Sequence, residues 1–83
     1  MNTLWKVQAA VVQAFDEMGR AQDRELTIAI TTNIRVLLLL HPYGPTLREW
    51  INSSCRFMGH VLSDPELNLL EAHVVAALQE NVG

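Results

Sequence analysis

The sequence predicts an all-α protein, a small four-helix bundle that associates with itself. Three observations lead there. Apolar residues recur at three- and four-residue steps in separate segments, the spacing of one face of a helix. Residues that start and stop helices bracket those segments. Hydrophobic residues make up 49% of the 83 residues and charged ones only 18%, against a usual charged share of about 25%. A short chain has much surface to wet. Part of this one is therefore expected to lie under another chain. The alternative architecture is α+β, with residues 26–40 as a strand or hairpin. Either way residues 1–83 read as one domain, with no visible internal repeat or linker.

The first segment runs from about Thr3 to Met18. Leu4, Val7, Val11, Phe15 and Met18 form its apolar stripe. Asn2 or Thr3 can accept a bond from the free amides at its start. Gly19 suits its end, because glycine adopts the left-handed conformation cheaply. Trp5 and Val12 lie on a second, offset stripe, so the apolar face is wider than a two-layer contact needs.

The second segment, Asp23 to His41, is ambiguous. Thr27, Ile28, Ile30, Thr31, Thr32, Ile34 and Val36 are β-branched and better suited to strands. Leu26, Ile30, Ile34, Leu37 and His41 nevertheless fit helical spacing. A strand of about 15 residues is long for a small domain, whereas a helix of that length is ordinary. A hairpin would have to turn near Thr32-Asn33 without the glycine such turns favour. Helix is the expectation, apolar around much of its girth from Val36 to Leu40. Such a helix belongs at the centre of a bundle or in a dimer interface.

His41-Pro42-Tyr43-Gly44-Pro45 breaks the chain. Thr46-Leu47-Arg48-Glu49 then has the capping-box pattern. Leu47, Trp50, Ile51, Ser54, Met58, Val61 and Leu62 are expected to make one core stripe. Ser63-Asp64-Pro65-Glu66 starts the last helix, with proline tolerated in the first turn and acids favoured by the positive helix end. Leu67, Leu70, Val74, Ala77 and Leu78 follow as its stripe.

Composition narrows function. Net charge is −3, and from Asp64 onward there are acids but no Lys or Arg. Phosphate backbones need clustered positive charge, so no nucleic-acid partner is expected. No unbroken apolar run exceeds that of Val36 to Leu40, far below the ~20 residues of a membrane span. The first fifteen residues carry one charge, Lys6, and do not read as a leader. A single thiol, Cys55, suits a reducing compartment. A cytoplasmic protein with no membrane partner is expected.

No catalytic, metal or cofactor residues are expected. His41, His60 and His73 have no ligand-spaced partners. Cys55 adjoins a core stripe and reads as a small buried hydrophobe. The four glycines are isolated, so no phosphate-cradling loop exists. What remains is a binding surface. His41, Tyr43, Arg48 and Trp50 surround the tight break, and Tyr, Trp and Arg are enriched at interface hot spots. With Trp5 and Val12 they are the expected partner-binding residues. The expected function is non-enzymatic: a small regulatory or inhibitory module that binds another protein and works as a homodimer. A structural, assembly or chaperone-like subunit of a hetero-complex is the alternative.

In length and four-helix form the chain resembles the small helical immunity proteins that neutralise bacterial nuclease toxins. That resemblance implies a protein partner and no enzymatic activity. Those proteins are more acidic and carry a paired-tyrosine segment. Here Tyr43 stands alone between two prolines, so no residue role carries over.

Overall fold

The computed structural model describes residues 4–40 and 46–79. They form four helices in the order α1 (Leu4–Met18), α2 (Arg24–Leu40), α3 (Leu47–Phe57) and α4 (Asp64–Gln79). The all-α bundle is the observed fold, and among the described residues there is no strand. No described helix is long and apolar enough to cross a membrane.

The helices follow from their buried periodicity. Val7, Val11 and Phe15 of α1 are buried, as the stripe predicts, with Met18 packed against them. In α2 the buried residues are Leu26, Ile30, Ile34 and Leu37. Ile28 and Val36, which a strand would place on the same face as Ile30 and Ile34, are 46% and 43% exposed. The three-to-four-residue period therefore wins over β-propensity, because burial outweighs a preference worth tenths of a kcal/mol per residue. The threonines are accommodated by bonding backwards. Thr27 Oγ1 donates to the Asp23 carbonyl at 3.0 Å, and Thr31 Oγ1 to that of Thr27 at 2.7 Å. Asp23 caps the helix by accepting from the Leu26 amide.

In α3 the Thr46 hydroxyl accepts from the Glu49 amide, which is the forward half of the expected capping box. The core face holds Ile51, Ser54 and Cys55, with Leu47 and Met58 beside them. Two expected members of that stripe depart from it. The helix ends at Phe57, because Gly59 takes a positive φ of 86°, so Val61 falls in the following loop and is 68% exposed. Trp50 is only half-buried and lies towards α2. In α4 Leu67, Leu70, Val74 and Ala77 are buried as expected.

The helices make a ring. The broadest contacts are α1 on α4 and α2 on α3; α1–α2 and α3–α4 are narrower, and the diagonal pairs of described helices stay apart. This pattern maps onto itself when α1–α2 is exchanged with α3–α4. At a spacing of forty many positions correspond, above all along α1 and α3 and their turns. Gly19 and Gly59 both have positive φ. Arg20 N donates to the Phe15 carbonyl as His60 N does to that of Cys55. Asp23 and Ser63 cap the second helix of each half. Val11 matches Ile51, Ile30 matches Leu70 and Ile34 matches Val74, all buried. The sequence reads as repeat-free, yet the structure is two similar helical hairpins. Met-Gly at 18–19 and 58–59 is nearly all that survives of the likeness in letters.

Candidate interaction surface

The two hairpins are tied to each other at their turns, and the ties are reciprocal. Arg20, just past the end of α1, reaches the first turn of α4: its Nε and Nη2 donate to Glu66 Oε2 at 2.6 Å and Oε1 at 2.9 Å. Its counterpart His60, just past the end of α3, reaches the start of α2, with Nε2 2.8 Å from Asp23 Oδ2. Glu66 also accepts from the Ser63 amide and hydroxyl. The Arg20 guanidinium first, and then these Ser63 bonds, hold the Glu66 carboxyl down at about 2. Asp23 is likewise lowered, chiefly by His60.

These ties imply an acid-sensitive fold. A carboxylate whose folded pKa lies below its unfolded value stabilises the fold above the unfolded pKa, and that contribution disappears as pH falls through the folded one. The melting temperature should therefore drop as pH falls from the ordinary 4.5 towards 2. Glu66→Gln should melt lower than the parent at pH 7 and converge with it near pH 2. Circular-dichroism melts across that range test this, and parallel profiles for the two proteins would refute it.

Between the paired helices lie two grooves that the internal symmetry makes equivalent, and their contents differ. On the α1–α4 side the groove is lined by Trp5, Ala9, Ala10, Gln13, His73 and Ala76. A polar pair, His73 Nε2 to Glu17 Oε2 at 2.6 Å, joins its two helices. Trp5 is 56% exposed at one end, with the Lys6 ammonium 5.9 Å from its ring centroid.

On the α2–α3 side the groove holds about 380 Å³ and is lined by Ala29, Asn33, Trp50, Ser53, Ser54 and Phe57. Trp50 stands where the other groove has Ala10, and Phe57 where it has Glu17. Asn33 Nδ2 donates to Ser54 Oγ at 3.0 Å, and Ser54 Oγ donates to the Trp50 carbonyl at 2.9 Å. The first of these bonds joins α2 to α3 across the groove. Trp50 Nε1 is buried and finds no acceptor among the described residues. Phe57 is 89% exposed, a large ring held in water on a helix.

The expected partner-binding residues are dispersed by this geometry. Trp50 lines the α2–α3 groove. Trp5 lines the opposite one. Val12 is half-buried in a third depression between α1 and α2, with Gln8, Gln22 and Thr27. Arg48 does not join Trp50: it faces α4, bonding Asn68 Oδ1 and lying 3.6 and 3.7 Å from the carboxylates of Asp64 and Glu71. Its two-residue separation from Trp50 puts the side chains on different sides of the helix. His41 and Tyr43 lie outside the described residues. Phe57 was not anticipated. A helical wheel would have found it, since it falls with Glu49, Ser53 and Arg56 on the face opposite Ile51 and Cys55.

His60 and His73 are both engaged with carboxylates, and no group of three or more metal-ligating side chains gathers among the described residues. Cys55 is buried, and burial pushes its thiol up to about 11, so it is mostly protonated and unreactive near neutral pH. Comparison with known proteins finds no matching family model, no similar curated protein and no similar solved structure.

Proposed function

We propose that this protein is a non-enzymatic interaction module, a small regulatory or inhibitory protein that binds another protein and acts in the cytoplasm as a homodimer. The observation that carries the reading is the contrast between two equivalent grooves. One is polar at its rim, and the other has Trp50 and the exposed Phe57 where alanine and glutamate stand in its counterpart. Nothing in the packing of the bundle requires a phenylalanine in water at that position. Leaving such a ring exposed costs about 1.5–3 kcal/mol relative to burying it, and a partner that covers it recovers that energy. Trp5, on the opposite side, offers a second aromatic anchor of the type that dominates binding energy. The free and buried Cys55 is compatible with a reducing compartment.

The test is affinity capture with immobilised parent protein, Phe57→Asp and Trp5→Ala, each first verified as folded by circular dichroism. A specific protein held by the parent and lost by one of the variants is the expected result. Equal catches from all three would overturn the reading.

A further inference from the structure

We propose that the α2–α3 face binds the same face of a second copy of this chain, with the two α3 helices antiparallel about a twofold axis near Ser53. The inference rests on the reading of this groove as a binding surface and names its occupant.

Three features favour a second copy. The first is charge order along α3. Glu49 lies in its first turn and Arg56 in its last, seven residues apart and so on one face, about 10 Å from each other along the axis. Both are exposed, and neither side chain has an ion-pair partner among the described residues. A helix laid antiparallel on its own copy puts Glu49 against the partner's Arg56 and Arg56 against the partner's Glu49. The midpoint of that pairing falls between Asn52 and Ser53. A parallel arrangement would bring like charges together.

The second feature is shape. A twofold interface must carry a projection and its receptor in the same patch. Here Phe57 projects at the edge of a groove whose floor includes the small residues Ala29 and Ser53. In the antiparallel pairing, Phe57 of one copy comes level with position 48 of the other, two residues or about 3 Å along the axis from Trp50. Phe57 and Trp50 share one side of α3, seven residues apart, so each ring comes within reach of the other copy's indole, a contact worth more than its area alone.

The third is the internal comparison. In the corresponding α1–α4 groove, Glu17, the residue equivalent to Phe57, is bonded to His73 of its own chain. The α2–α3 groove lacks that closure and presents apolar rings instead. Helix dipoles also oppose each other in the antiparallel arrangement, so the ends of α3 do not repel.

Sedimentation equilibrium of the purified chain tests the proposal. The parent is expected at twice its 9.3 kDa mass. Phe57→Asp should weaken pairing by at least about 30-fold, the effect of losing an interface anchor. Glu49→Lys and Arg56→Glu are both surface changes that should leave the fold intact. Each alone makes two like-charge contacts across the axis and should also weaken pairing. Mixing the two single variants should restore a dimer, because every cross-axis contact then joins opposite charges. The double variant should restore it as well. A parent that stays monomeric at millimolar concentration overturns the proposal. So does a dimer unaffected by Phe57→Asp, or single variants that fail to complement each other.

The outcomes separate this proposal from the functional reading beneath it. A monomer that still captures another protein through Phe57 removes the dimer and leaves the binding surface. A Phe57-dependent dimer that captures nothing keeps the dimer and removes the regulatory role.

Discussion

Replacing Phe15 with alanine is expected to destabilise the protein by about 3–5 kcal/mol, the range found when a buried phenyl ring is removed and its space is only partly refilled. Phe15 is 2% exposed at the end of α1. Its ring meets the His60 imidazole edge-on, with centroids 5.9 Å apart and planes at 69°. The loss therefore reaches beyond the cavity, because His60 carries the tie to Asp23. A chain of this size has a total stability of about 4–12 kcal/mol, so the variant should be near or past its unfolding midpoint at 25 °C. Urea denaturation followed by circular dichroism gives the number. Cys55 supplies the internal contrast. It occupies the matching position in the second hairpin and is fully buried, but Cys55→Ala removes one sulfur atom, and the expected loss is on the order of 1 kcal/mol. Similar losses at both positions, or a loss below 1 kcal/mol at Phe15, would contradict the core described here.

That contrast also explains what the sequence conceals. The two hairpins share a pattern of burial along α1 and α3 and only part of it along α2 and α4, and they share hardly any residues. Phe15 stands opposite Cys55, Ala10 opposite Trp50 and Leu37 opposite Ala77, so each half fills its share of the core with different volumes. A core tolerates such exchanges when total volume is kept. The same helical arrangement is therefore reached without a repeat visible in the letters. What remained legible was whatever the backbone itself demands: a glycine at each left-handed turn, a capping side chain before α2, α3 and α4, and an apolar residue every third or fourth position. From these the four helices follow.

The interaction surface was less legible for a related reason. Sequence proximity suggested that Arg48 and Trp50 act together, but two residues along a helix is more than half a turn. Arg48 is therefore committed to α4 and Trp50 to the groove with α2. Phe57 was not among the expected residues, although its place on the helical wheel, seven residues after Trp50 and away from Ile51 and Cys55, turns it outward. The ties from Arg20 to Glu66 and from His60 to Asp23 join residues 46 and 37 positions apart. No local pattern announces a pair at such a distance.

The ambiguity of α2 leads to the second large effect. Thr32 is exposed in the middle of this helix, so changing it tests backbone conformation with little interference from packing. Thr32→Pro should cost about 3 kcal/mol or more, since proline removes an interior amide bond and its ring collides with the preceding turn. Proline would injure a central strand too, so that result alone does not distinguish the two architectures. Thr32→Ala does. In a helix, alanine relieves the rotamer restriction of threonine and should raise stability by up to about 0.7 kcal/mol. In a strand, the loss of a β-branched side chain should lower it, on a scale that spans about 1 kcal/mol. Opposite signs for the two substitutions, read from urea midpoints with unchanged slopes, are what α2 requires. They would also show why so β-rich a segment folds as a helix. Its threonines and isoleucines each weaken the helix slightly, and the burial of Leu26, Ile30, Ile34 and Leu37 on one side outweighs them all together. Measured alone, outside the bundle, the same segment should show little helicity, because an isolated helix of this length is marginal in water and lacks the burial that stabilises it here.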